Sequence, residues 1–300
     1  MDEARYARMA SYTTHLDIAY PGATSPRQAL DLFLPREAGP SSPLLVYVHG
    51  GAWRSESKSD FTNTLVPLLV QHTRLPVACL EYRLAPADPH PAQIVDVISG
   101  LSLLAGPLLP LEEGEAKWDR RKLVVAGHSA GAFMAATLIL RPPPSCTPSF
   151  DVPASLRHSI SHIICIDGIY DLPTLLDEYP SYDSFVHDAF GRNPAVLAAE
   201  SPARWDLYDG EALKTHVVVL HSAEDELLSF RQPRVFLRRM RRLLAGSDAA
   251  RGREEAGQPV EEEEKDLPEG VVADFVSLKR GHYEVVRSEE LATVIARILQ

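Results

Sequence analysis

The segment from Lys122 to Arg141, KLVVAGHSAGAFMAATLILR, constrains this chain more than any other. It opens on a β-branched apolar run, Leu123-Val124-Val125. It then turns through Gly127-His128-Ser129-Ala130-Gly131 and continues as an apolar stretch of good helix formers. A strand, a tight turn with Gly on either side of a Ser, and a helix form the setting in which G-x-S-x-G makes a nucleophile elbow. Only small residues can flank the Ser, because the turn strains its backbone and draws strand and helix together. The Ser129 side chain is pushed out at the strand end. The Ala130 N–H stands at the start of the helix, where it can donate to a developing oxyanion.

Apolar strands and helices alternate around this unit. His15 to Tyr20 and Ala29 to Leu34 read as opening strands separated by Pro-Gly and Ser-Pro turn chemistry. Leu44 to Val48 is continuously apolar, as a strand buried on both faces of a parallel sheet should be, and it ends in His49-Gly50-Gly51-Ala52-Trp53. Residues 60–72 read as a helix interrupted by Pro67, Val77 to Tyr82 as a strand, and Ala92 to Leu104 as a helix. After the elbow come a proline-rich loop, Pro142 to Pro153, and strands at His162 to Ile166 and Val217 to Leu220. A helix from Phe230 to Leu244, a last strand from Val271 to Leu278 and a closing helix over 285–299 complete the pattern. This alternation predicts an α/β fold, a mostly parallel central sheet with helices on both faces, as a single domain over residues 1–300. Tyr170 to Arg204 carries helix and turn signals without a strand, so residues 170–205 are expected to form a small cap region over the sheet.

The formal net charge of -11 argues against nucleic acid or an anionic membrane as the main partner. Much of it is local: residues 245–269 hold nine acidic against three basic residues and read as a disordered surface insertion. Cys79, Cys146 and Cys165 form no C-x-x-C pair and lie in apolar surroundings, which reads as reduced thiols in a reducing compartment. The N-terminal MDEARYARMA lacks the apolar core of a secretory signal, and the expectation is a cytoplasmic protein. The arginines of the 230–244 helix read as a solvated face.

A serine becomes a useful nucleophile only when a base takes its proton, and the base needs an orienting acid. Ser129, Asp225 and His282 each follow a predicted strand, so all three project from the carboxyl ends of the sheet, where open α/β sheets bind ligands. Asp225 is preferred as the acid over its neighbours Glu224 and Glu226, because Leu227-Leu228 provides an apolar anchor beside it. The ordinary reading of that cluster is a turn before the next helix. His282, after the last strand and a Gly, is preferred as the base over His128 and His221. His158 and His162 have i, i+4 spacing but no carboxylate beside them, so no metal is expected. Gly50 and Gly51 free backbone N–H groups to point at a substrate, complementing Ala130 as an oxyanion hole. His49 and Trp53 are candidate substrate contacts; Trp53 can equally roof an acyl pocket or merely cover the sheet edge.

With these residues in place the chain resembles the α/β-hydrolase superfamily, and within it the kynurenine formamidases and hormone-sensitive-lipase-like esterases. Glu81-Tyr82-Arg83-Leu84-Ala85-Pro86, with Pro91-Ala92 and Asp96 beyond, is similar to the Y-R-L-A-P segment of those esterases, which typically continue H-G-G with another Gly. H-G-G-A-W is instead similar to the kynurenine formamidase signature, as are Ser57-Lys58, Gly168-Ile169-Tyr170-Asp171-Leu172, Ser201-Pro202 and Gly281-His282-Tyr283. The resemblance covers about residues 12–298. It implies hydrolysis of the small molecule N-formyl-L-kynurenine to kynurenine and formate by Ser129, Asp225 and His282, with no cofactor. It alone points to a homodimer. A carboxylesterase acting on short acyl esters is the second reading, and a non-catalytic protein on the same fold the third.

Overall fold

The computed structural model describes residues 12–111, 117–146, 149–208, 213–244 and 267–300. Eight strands form one sheet in the order β1-β2-β4-β3-β5-β6-β7-β8. They are β1 (Tyr12–Ala19), β2 (Ala29–Pro35), β3 (Leu44–Val48), β4 (Val77–Leu80), β5 (Leu123–His128), β6 (Ile160–Ile166), β7 (His216–Leu220) and β8 (Val271–Asp274). β2 runs antiparallel to β1 and β4, and every other pairing is parallel. The helices are α1 (Ser59–Thr62), α2 (Leu65–Thr73), α3 (Ala92–Ala105), α4 (Ala130–Thr137), α5 (Ala154–Arg157) and α6 (Leu172–Glu178). They continue with α7 (Asp183–Phe190), α8 (Pro194–Ala199), α9 (Arg231–Leu244) and α10 (Glu289–Ile298).

The continuous apolar runs are explained by a core on each face. Along β3, Leu44, Val46 and Val48 point to one side, where Ile94, Val97 and Leu101 of α3 and Phe236, Leu237 and Met240 of α9 pack. Leu45 and Tyr47 point to the other, against Leu65, Leu69 and Val70 of α2 and Leu291 and Ile295 of α10. β7 divides the same way, Val217 and Val219 against Val218 and Leu220. With period-2 alternation and both faces covered, residues 44–48 and 217–220 are apolar without a break.

Three expected elements differ. The closing helix expected over 285–299 begins only at Glu289, after a 3₁₀ turn at Val285–Arg287. The helix expected over 60–72 is broken at Asn63-Thr64 rather than at Pro67, which lies in the first turn of α2 where its missing N–H costs nothing. The last strand stops at Asp274, because its Oδ1 accepts the N–H groups of Val276 and Ser277 (3.1 and 2.9 Å) and turns the chain. Residues 170–205 contain α6, α7, α8 and two 3₁₀ turns, without a strand. Most of the acidic stretch 245–269 lies outside the described residues. No helix among the described residues is long and apolar enough to cross a membrane.

Candidate active site

β5 delivers Ser129 into a conformation that L residues avoid, φ 53° and ψ -114°. Its N–H donates to the Ile166 carbonyl at 2.9 Å, which ties the elbow to β6. The flanking glycines are required by close approach: a Cβ on Gly127 would stand 2.2 Å from the Gly131 carbonyl oxygen, and one on Gly131 would stand 2.1 Å from that of Val48. The helix thus rests directly on the end of β3.

That contact places the H-G-G-A-W loop over the elbow. A Cβ on Gly50 would lie 3.1 Å from the Ser129 Cβ. Gly51, Ala52 and Trp53 have φ of 81°, 53° and 58°, three successive left-handed residues. Among the described residues the amides of Gly50, Gly51 and Ala130 donate to no acceptor. Glu81 and Tyr82, to which the sequence reading gave no role, hold the loop from below. The Tyr82 hydroxyl donates to the Gly50 carbonyl at 2.5 Å and lies 3.0 Å from that of His49. The Glu81 carboxylate reaches His49 Nε2 (3.1 Å), Arg27 Nη1 (2.7 Å) and the Lys58 N–H (3.2 Å). Burial pushes Glu81 up, but His49 and Arg27 outweigh it and leave its carboxyl below the usual range. His49, expected to touch substrate, is instead fully buried and stacked on Tyr82 at 4.1 Å, where it shapes the loop from beneath. Trp53 is equally buried, edge-on to Phe133 of α4 (5.2 Å) and Phe190 of α7 (4.9 Å). Tyr82→Phe removes the hydroxyl that fixes the Gly50 carbonyl. It is expected to lower kcat about tenfold or more while leaving KM unchanged, because a loosened oxyanion donor is felt in the transition state. Steady-state kinetics check this, and an equal fall in KM and kcat would count against it.

The structure brings Asp225 and His282 together. Asp225 Oδ2 lies 2.8 Å from His282 Nδ1, and its Oδ1 accepts the Leu227 and Leu228 amides at 2.8 and 2.9 Å. Glu226, a rival for the acid, instead accepts the His282 backbone N–H at 2.9 Å and lies where a Cβ on Gly281 would touch it. Ser222 Oγ bonds both the N–H and the carbonyl of Arg280, so the β7 and β8 loops are laced together. Burial raises Asp225 and lowers His282, but their mutual hydrogen bond and charge prevail: the acid sits below, and the imidazole above, its ordinary value. His282 packs against the ring of His128, Ser129's neighbour, at 4.6 Å. Ser129 Oγ makes no hydrogen bond among the described residues, a contact that in hydrolases often tightens only with substrate in place.

The rival histidines His128 and His221 pack around the pair rather than replacing His282. Burial, then the charge of His282, holds His128 well below the histidine value, so it is neutral. His221 Nε2 lies 2.9 Å from the Leu228 carbonyl, and burial lowers it too. His162 stacks on His216 at the opposite end of the sheet. Ligand-type atoms of His128, Asp167 and His282 lie within 4.8 Å of one another, as do those of Asp167, His221 and Asp225. These are the base, its acid and the side chains packed around them. A cavity of about 170 Å³ also sits away from Ser129, lined by Ile160 and Thr215 at the amino ends of β6 and β7.

A nucleophile elbow, unpaired amides beside it and an acid–histidine pair on adjoining loops of this sheet define an α/β hydrolase. Residues 45–264 match the family model described as the alpha/beta hydrolase fold. A solved carbohydrate esterase from gut microbiota superposes with a TM-score of 0.69 over 97% of this chain and 96% of its own, at 14% identity, which reflects the fold alone. The kynurenine formamidase of Scheffersomyces stipitis is 33% identical over 214 residues, 64% of this chain and 75% of that protein. That of Meyerozyma guilliermondii is 30% identical over 192 residues, 63% and 67% respectively. The chain belongs to the kynurenine formamidases of the α/β-hydrolase family.

Proposed function

We propose that this chain hydrolyses the formamide of N-formyl-L-kynurenine to L-kynurenine and formate, with Ser129 as nucleophile, His282 as base and Asp225 as its orienting acid. The 2.8 Å Asp225–His282 contact on loops facing the Ser129 elbow is the observation that carries this reading. Ser129 Oγ attacks the formyl carbon while His282 takes its proton, and the Gly50, Gly51 and Ala130 amides hold the oxyanion. The C–N bond then breaks as His282 returns the proton to the departing aryl amine. Water, deprotonated by His282, cleaves the formyl ester, releasing formate and restoring Ser129. Trp53, wedged between Phe133 and Phe190, anchors the end of the oxyanion loop. Residues 170–205 act as the cap, bringing Phe185 and Phe190 to Trp53. The buried, unpaired Cys79, Cys146 and Cys165 fit a cytoplasmic enzyme, and the family likeness suggests a homodimer, which sedimentation tests.

Side-by-side turnover of N-formylkynurenine and a short-chain p-nitrophenyl ester decides the substrate. The formamide should give the larger kcat/KM; turnover of the ester alone would make the chain a carboxylesterase. The base must be neutral to accept a proton, and its pairing raises its pKa. The acid limb of kcat/KM should therefore be centred above the free-histidine value of about 6.5, with activity lost as pH falls through it. A limb centred below that value would contradict the pairing.

A further inference from the structure

One buried carboxyl at the site has no part in the reaction as written. Asp167 follows β6, the strand between the one that carries Ser129 and the one that leads to Asp225. Its φ is 45°, a left-handed conformation that a non-glycine residue keeps only when its surroundings enforce it. The backbone N–H donates to the Leu220 carbonyl at 3.0 Å. The side chain is fully buried. Its Oδ1 accepts the Ser222 N–H at 2.6 Å and lies 3.6 Å from His221 Nδ1. Its Oδ2 has no hydrogen-bond partner, a costly state for a buried oxygen. The titratable groups that face it are His128 from β5, Tyr170 from the segment after its own strand, His221, Asp225 and Glu226 from the loop after β7, and His282 from the loop after β8. It is within 4.8 Å of ligand-type atoms of both His282 and Asp225, and so stands at the shared corner of the acid and the base.

We propose that Asp167 is a second positioning carboxyl for His282: it fixes the loop that carries Asp225, and it supplies the counter-charge to the imidazolium when Asp225 is lost. The inference rests on the Ser129–Asp225–His282 reading above. The fixing role runs through Ser222, whose N–H Asp167 holds and whose hydroxyl bonds Arg280, two residues before His282. The reserve role follows from electrostatics. Burial first, and the Asp225 charge second, push the Asp167 pKa up to about 7, so near neutrality it keeps much of its proton while Asp225 is the anion. Removing the Asp225 charge withdraws one of these two causes. Asp167 then releases its proton to solvent more readily, and the cluster regains a single negative charge facing His282.

Asp225→Asn, Asp167→Asn and the double variant test this; Asn at 167 keeps an acceptor for the Ser222 N–H. Asp225→Asn should lose about 10²-fold in kcat. The double variant should lose about 10⁴-fold, the penalty of a triad with no acid. Asp167→Asn alone should lose less than tenfold with KM unchanged. Equal rates for Asp225→Asn and the double variant overturn the proposal, as does an Asp167→Asn loss as large as that of the double. Should Asp167→Asn fail to fold, NMR titration of His282 in Asp225→Asn decides by itself. A pKa still above that of free histidine supports a second counter-charge, and one driven below it by burial overturns the proposal. Fluorophosphonate labelling of the wild-type protein separates the two readings. An unlabelled Ser129 removes the hydrolase mechanism, whereas a labelled Ser129 with matching single and double variants removes only the role of Asp167.

Discussion

Replacing Ser129 by Ala is expected to lower kcat by about 10⁵- to 10⁶-fold, the size of loss that follows removal of a triad nucleophile. The His282→Ala loss should be of similar size, and the double variant should be no worse than either single one, because the groups act as one unit. KM and thermal unfolding should barely move for Ser129→Ala: the side chain makes no hydrogen bond among the described residues, and Ala keeps the Cβ in place. Ser129→Gly separates chemistry from strain. At φ 53° and ψ -114° the residue occupies backbone space that costs a non-glycine on the order of 1–3 kcal/mol. Gly should therefore abolish turnover and still raise the melting temperature, despite its larger unfolded-state entropy. Single-turnover kinetics and calorimetry read the two effects. A Ser129→Ala protein retaining more than a few per cent of wild-type turnover would place the nucleophile elsewhere, and a destabilised Ser129→Gly would show that the elbow holds no such strain.

The framework was legible because its strands are buried on both faces. A run such as Leu44 to Val48 has no solvated side to confuse its reading, and the chemistry sits just past the carboxyl ends of such runs. Ser129 after β5 and Asp225 after β7 follow that rule. Asp167 obeys it as well, a charged residue directly after the apolar β6, and the same signal could have marked it. Glu81 and Tyr82 were visible as a motif, but their task was not: they act beneath the oxyanion loop through contacts about 30 residues away in sequence, which no spacing encodes. Glu226 and Asp225 are indistinguishable by composition. Which carboxylate faces the imidazole and which caps its backbone is set by the turn, where Asp225 Oδ1 captures the amides of Leu227 and Leu228. Local side-chain competition also ended β8 at Asp274, where hydrophobicity alone suggested continuation to Leu278.

Gly131→Ala should be among the most damaging single-methyl changes at the described glycines, with a stability loss of about 4 kcal/mol or outright failure to fold. The added Cβ would meet the Val48 carbonyl oxygen at 2.1 Å and that of His49 at 2.6 Å. Both are backbone atoms at the end of a central strand, and β3 is held on one side by β4 and on the other by β5. No side chain can swing aside, so α4 must lift away from the sheet. Lifting it exposes the apolar face that carries Ala132, Phe133 and Ala136, all of which are buried. It also displaces the Ala130 amide from the Gly50 loop, so activity should fall further than the residual folded fraction accounts for. Gly39→Ala is the control. A Cβ there meets nothing within 4 Å and its φ is unexceptional, so the change should stay within about 0.5 kcal/mol of wild type. Denaturant melts of the two variants, with kinetics on whatever folds, test the argument. A Gly131→Ala protein as stable and active as Gly39→Ala would mean that helix and strand are not pressed together at the elbow, and the geometry that aims Ser129 would have to be abandoned.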